Sequence, residues 1–102
     1  MERQRDDRRL YGVLGLLASE LRENQKRLEA DPDNPAGLTL GNWDANKAAF
    51  SQLVRDDALW EAVTSAYGDI FEAMSGRRDP PSVAVLDQLH SQISAARESL
   101  KS

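Results

Sequence analysis

Asp87 and His90 stand three residues apart, a spacing that sets a carboxylate beside an imidazole on one helix face. That pair is the nearest this chain comes to acid–base machinery, since a histidine oriented by a carboxylate can act as a general base. Chemistry would also require a nucleophile. Ser91 and Ser94 come soon after, but neither carries a feature that marks it as activated. His90 is the only histidine, so a di-iron centre is excluded, because it needs two Glu-x-x-His pairs. A haem held by Met74 and His90 fails on position: Met74 lies at the end of its helical segment and His90 about two turns into the next. With no cysteine there is no disulfide, no thiolate chemistry and no sulfur metal site, which is compatible with a cytoplasmic protein. The residues therefore point to no enzyme, no metal and no cofactor.

Asn24 is the second residue whose type is out of place. Leu10, Leu14, Leu17, Leu21, Asn24 and Leu28 keep a spacing of three and four, a seam that holds one helix face against a partner. An amide buried among leucines costs about 1–3 kcal/mol unless it is hydrogen-bonded. Asn24 should thus have a structural polar role, either fixing helix register or oligomeric state or bonding the loop after the helix. The alternative is that Asn24 and Glu20 line a small polar pocket.

These residues sit on four helical segments, expected at about 5–29, 43–55, 58–75 and 82–100 of a single domain spanning 1–102. Glu20, Arg22, Glu23, Lys26 and Arg27 supply the first helix with a charged outer face. Asp31-Pro32-Asp33-Asn34-Pro35 stops it, because proline cannot donate to the ladder and disfavours helix in the preceding residue. Trp43, Phe50, Leu53 and Val54 mark one side of the second segment. Asp56 or Asp57 caps the third, where Trp60, Val63, Tyr67, Ile70 and Met74 repeat, and Gly76 ends it in a left-handed conformation. Ser82 caps the fourth, whose seam is Leu86, Leu89, Ile93, Ala96 and Leu100. The fold class is all-α: an antiparallel four-helix bundle with one long loop, 31–42, between helices 1 and 2. Leu38 and Leu40 in that loop are expected to fold back onto the bundle end. The buried set should include Leu14, Leu17, Leu21, Phe50, Trp60, Val63, Tyr67, Ile70, Leu86, Leu89 and Ile93.

Charge and surface suggest partners. The formal charge of −4 argues against a general nucleic-acid binder, and no nucleic acid is expected. Residues 1–30 carry seven basic and six acidic side chains, whereas 31–102 carry six and eleven. Leu10 begins the first seam, and Val13 and Leu16 widen its apolar face beyond what one neighbour covers. Leu10, Val13 and Leu16 are accordingly the expected interaction residues, for a homodimer or another protein. Gly12, Gly15 and Ala18 form a small-residue stripe that admits close helix approach, at about 1 kcal/mol of helix stability per glycine.

The run from Leu10 to Ala18 is too short for a bilayer, which needs about twenty residues. No secretory cleavage site comes after it. Arg3, Arg5, Arg8 and Arg9 before an amphipathic helix nonetheless match the basic flank of a membrane helix on its cytoplasmic side. The chain is expected in the cytoplasm, and at the inner face of the membrane only if an anchor lies upstream.

Leu17-Ala18-Ser19-Glu20-Leu21-Arg22-Glu23-Asn24-Gln25-Lys26-Arg27-Leu28, with Asn42-Trp43, Leu59-Trp60 and Ala66-Tyr67 further on, resembles small bacterial helical proteins of unknown function. In those an arginine-rich segment often succeeds a membrane helix and leads into a Glu-Leu-x-x-Asn helix. The resemblance covers roughly residues 8–75 and departs in lacking the membrane helix. It implies a helical domain beside or below a membrane and no known activity. The function expected is a non-catalytic helical interaction or tethering module, the cytosolic part of a membrane-anchored protein if that anchor exists. The alternative is a ligand-binding or sensory bundle with its pocket near Asn24.

Overall fold

The helix-forming periodicities close around one apolar cluster drawn from every helix of the chain. A computed structural model describes residues 2–101, with side chains from residue 4 onward; Arg3 of the arginine-rich start lies outside the described side chains. Four α-helices appear: α1 (Glu2–Ala30), α2 (Gly41–Leu53), α3 (Asp57–Met74) and α4 (Val83–Leu100). A 3-10 turn, Pro35–Gly37, interrupts the segment between α1 and α2. Among the described residues there is no strand.

α1 sets the shape. Its 29 residues make a rod of about 43 Å, nearly the full long dimension of a 47 × 21 × 20 Å molecule. α4 and α2 both pack on it, while α3 packs on α4 and on the 3-10 turn. Arg97 Nε of α4 donates to the Tyr11 carbonyl of α1 at 3.2 Å, and Arg22 of α1 reaches Asp87 of α4 at 3.4 Å. On the other side Asn42 Nδ2 of α2 donates to the Leu16 carbonyl at 3.0 Å, and Arg55, just past α2, lies 3.8 Å from Asp7.

Local signals account for the helix ends. Asp56 caps α3, its carboxylate accepting from the backbone of Ala58 and Leu59 at 3.0 and 3.3 Å. At the other end Gly76 takes φ +75°. Its N–H donates to Ala73 O while that of Arg77 donates to Glu72 O, the two backbone bonds of a Schellman stop. Ser82 accepts from Val85 N at 3.1 Å and starts α4.

Two expectations about burial need correction. Trp60, expected in the core, is 41% exposed, because Leu59 takes the inward position and the α3 seam runs Leu59, Val63, Ala66, Ile70, Ala73, with Tyr67 beside it. Glu20, expected on the charged outer face of α1, is buried, as is Gln25. α1 has chain packed along two sides, so its buried sector is wider than a single leucine seam. Leu38 is buried and Leu40 packs against the same cluster.

Candidate functional site

Two of the three buried polar residues among those described, Glu20 and Asn24, face the segment where α2 begins. α2 lacks a local cap: Leu40 occupies the capping position and offers no side-chain oxygen. The first N–H groups of a helix have no intrahelical partner and must find one elsewhere. Glu20, one-third of the way from the end of α1, supplies it. Its two carboxylate oxygens accept from the backbone N–H of Asn42 and Trp43 at 2.9 and 3.0 Å. The Thr39 hydroxyl adds a longer bond of 3.4 Å to the same carboxylate. A negative charge here also meets the positive end of the α2 dipole, which offsets the several kcal/mol that burying a lone carboxylate would cost.

One turn along α1, the Asn24 amide is fully enclosed and is matched on both edges by a single residue of the connecting segment. Nδ2 donates to Thr39 O at 2.9 Å and Oδ1 accepts from Thr39 N at 2.8 Å. The side chain thereby pairs with backbone as a neighbouring strand would. Arg27, one turn further, donates to the Gly37 carbonyl. Glu20, Asn24 and Arg27 share one face of α1, and together they hold residues 37–43 against it.

Tyr67 closes the cluster from α3. It is buried, its ring stacks on Trp43 with centroids 4.7 Å apart and planes 6° from parallel, and its hydroxyl donates to Leu17 O at 3.4 Å. Burial first, and then the charge and hydrogen bonding of Glu20, push the phenol well above its ordinary value. Tyr67 therefore stays protonated and donates. Trp43 also meets Phe50 edge-on at 6.0 Å. Among the described residues every buried side-chain nitrogen and oxygen has a hydrogen-bond partner.

This arrangement positions backbone. The carboxylate accepts from three of the chain's own donors, and the amide has both edges occupied. At Asn24, where the alternative reading places a small polar pocket, Thr39 backbone bonds both edges of the amide.

His90 is half-buried on α4, and its Nδ1 accepts from Arg22 Nη2 at 2.9 Å. Asp87 engages the same guanidinium. Partial burial, and after it the Arg22 charge, lowers the histidine pKa, and Asp87 opposes them more weakly. The imidazole thus faces a cation rather than a nucleophile. Among the described residues no three His, Asp or Glu side chains converge as metal ligands would.

The expected interaction residues separate. Leu10 and Val13 belong to the chain's own core, and Leu16 is 47% exposed. The other large exposed apolar side chains are Trp60, Phe71 and Val85. An open recess of about 520 Å³ lies between the start of α1 and the end of α4, lined by Gln4, Asp7, Arg8, Tyr11, Leu100 and Lys101. Its walls mix both charge signs with one aromatic ring. No helix among the described residues is long and apolar enough to cross a membrane.

Sequence reasoning found Asn24 because an amide interrupts a leucine seam. It missed Glu20, Tyr67 and Thr39 as a unit. The available signal was the capping position itself, where Leu40 offers no side-chain oxygen to the first turn of α2. Comparison with known proteins adds nothing to this: no protein-family model, no curated protein and no solved structure matches the chain.

Proposed function

We propose that this chain is a non-catalytic helical interaction or tethering module that offers an outer helix face to another protein surface. The observation that carries the reading is a contrast between its polar and apolar side chains. The buried Glu20 and Asn24 of α1 are consumed in holding residues 39–43, while Trp60 and Phe71 stand 41% and 52% exposed on α3. Large aromatic side chains at the surface are characteristic anchors of protein interfaces.

The frame that presents this face is an antiparallel bundle in which residues 31–40 form the long connection between α1 and α2. Contacts of Arg97 with Tyr11 and of Arg22 with Asp87 support that direction for α1 and α4. Contacts of Asn42 with Leu16 and of Arg55 with Asp7 support it for α1 and α2. Arg5, Arg8 and Arg9 at the start of α1 support a setting on the cytoplasmic side of a membrane, with tethering through a preceding anchor.

The test is site-specific photo-crosslinking in the source cell. A photoreactive residue at Phe71 should give a protein adduct that the same residue at Lys26, on the exposed face of α1, does not give. Equal or absent adducts at both positions would sink the reading.

A further inference from the structure

We propose that the end of the molecule where α1 begins, α4 ends and α2 gives way to α3 binds a small amphiphilic anion, a single-chain aliphatic carboxylate. This site goes beyond the module reading and is independent of it. Two recesses adjoin there. The open one of about 520 Å³ has Arg8, Tyr11 and Lys101 in its walls. A second, of about 220 Å³, reaches the buried Leu10, Leu14 and Leu59, and Asp7 and Leu100 line both. The chain's own sequence accounts for the inner recess. The α4 seam carries Leu86, Leu89, Ile93 and Leu100 but has Ala96 between the last two, and Ala96 belongs to the lining. One short side chain in a seam of long ones leaves volume that a close-packed interior would otherwise fill. The lining also grades in polarity. Its buried members, Leu10, Leu14 and Leu59, are aliphatic, and its exposed ones, Arg55, Asp56 and Ser99, are polar. An apolar floor with a few polar groups is what ligand pockets between helices share.

Charge selects the head group. Asp7, Arg8, Arg55, Asp56 and Lys101 are the charged side chains of the two linings. Asp7 is taken by Arg55 at 3.8 Å and Lys101 by Glu98 at 3.1 Å. The Asp56 carboxylate is taken by the N–H groups of Ala58 and Leu59 at the start of α3. Arg8 is left over: it is exposed and has no ion pair or hydrogen bond among the described residues. The unmatched charge is therefore a guanidinium, whose planar fork fits a carboxylate. A cationic head would find no unpaired carboxylate in either lining. The inner recess is smaller than the ~300–1,000 Å³ of drug-sized pockets, so it takes one chain, and the open outer recess leaves the head in contact with water. Binding should accordingly be weak, with a Kd on the order of 0.1–1 mM for octanoate.

Titration of the full chain with hexanoate, octanoate and decanoate below their micellar concentrations, read by backbone amide shifts, tests this. Octanoate is expected to saturate at one molecule per chain and to shift the amides of Leu10, Leu59 and Ala96. Each added methylene should tighten binding by up to about fourfold while the inner recess fills. Arg8→Gln, at an exposed position, should weaken octanoate by about threefold with helical content unchanged. Ala96→Leu, which fills the inner recess, should abolish the dependence on chain length. Should that variant lose its fold, the carboxylate series and Arg8→Gln decide the matter alone. No saturation by about 10 mM octanoate, an affinity indifferent to chain length, or an Arg8→Gln variant that binds as the parent does would overturn the proposal. Octylammonium binding as tightly as octanoate would overturn the choice of an anion. Binding to phosphatidylglycerol vesicles without binding of free octanoate would also overturn it, and would assign this end to a membrane surface.

Discussion

Gly15 and Arg97 occupy each other's space: a Cβ built on Gly15 would lie 2.8 Å from Arg97 Nη2. The absence of a side chain on Gly15 lets the guanidinium approach α1, its Cζ 4.0 Å from the Tyr11 ring centroid, while Nε donates to the Tyr11 carbonyl. Gly15, the middle member of the small-residue stripe of α1, is thus used within the chain, by α4.

Gly12 and Gly15 should then respond differently to alanine. Nothing lies within 4 Å of a Cβ at Gly12, so Gly12→Ala gains the helix propensity alone, about 1 kcal/mol of stability. Gly15→Ala gains the same propensity but pushes Arg97 off Tyr11, forfeiting a cation–π contact of about 0.5–1 kcal/mol and part of a hydrogen bond. Urea denaturation should place Gly12→Ala clearly above the parent chain and Gly15→Ala near it. Equal gains from both would mean that the Arg97 seat contributes nothing.

Asn24→Leu should destabilise the chain by about 1–3 kcal/mol, because it leaves Thr39 N–H and C=O without partners while the added apolar contact returns only part of the loss. Amide exchange should accelerate at Thr39 and Leu40. Glu20→Gln removes the charge that faces Asn42 and Trp43, and it should loosen the first turn of α2 by a similar amount. If Asn24 instead set oligomeric state, Asn24→Leu would be as stable as the parent but no longer uniform in sedimentation. A variant both more stable and uniform would defeat both roles.

His90 gives stability a pH dependence whose direction is fixed by its surroundings. Partial burial and the Arg22 charge hold its folded pKa below the ordinary value of 6.5. Folding therefore favours the neutral ring. Its contribution is complete above the unfolded pKa, is lost as pH falls through the folded value, and is flat below that. Asp87 reduces the effect without reversing it. Thermal melts of the parent should lose stability between pH 7 and the mildly acidic range, and His90→Gln should flatten that slope. A parent chain that gains stability as pH falls through this range would mean that Asp87, rather than Arg22, governs the ring.

How far the sequence carried these conclusions differs between elements. Asp56, Gly76 and Ser82 act on neighbours within three or four residues, and their capping roles are readable because cap and helix are adjacent in the chain. The α3 seam keeps Val63, Tyr67 and Ile70 where its periodicity puts them and departs at its start: Leu59 and Trp60 are both apolar neighbours, and spacing alone cannot rank them. Glu20 departs from expectation for a different reason. A glutamate that opens a run of charged residues on a helix reads as solvated, and only the return of residues 39–43 supplies the donors that make its burial favourable. The cluster is half-legible, since Asn24 is conspicuous while its partner is unremarkable backbone at Thr39.

The borrowed cap of α2 bears on the order in which the chain acquires structure. Thirteen residues are too few to hold a helix alone in water, and α2 takes its first-turn acceptor from a residue more than twenty positions earlier. A peptide of residues 41–55 should therefore remain coil however favourable its composition. In the intact chain α2 can persist only after α1 has formed and residues 37–43 have docked on it. The docked segment and α2 then make a single cooperative unit, whose amides should open together in native-state exchange and close last on refolding.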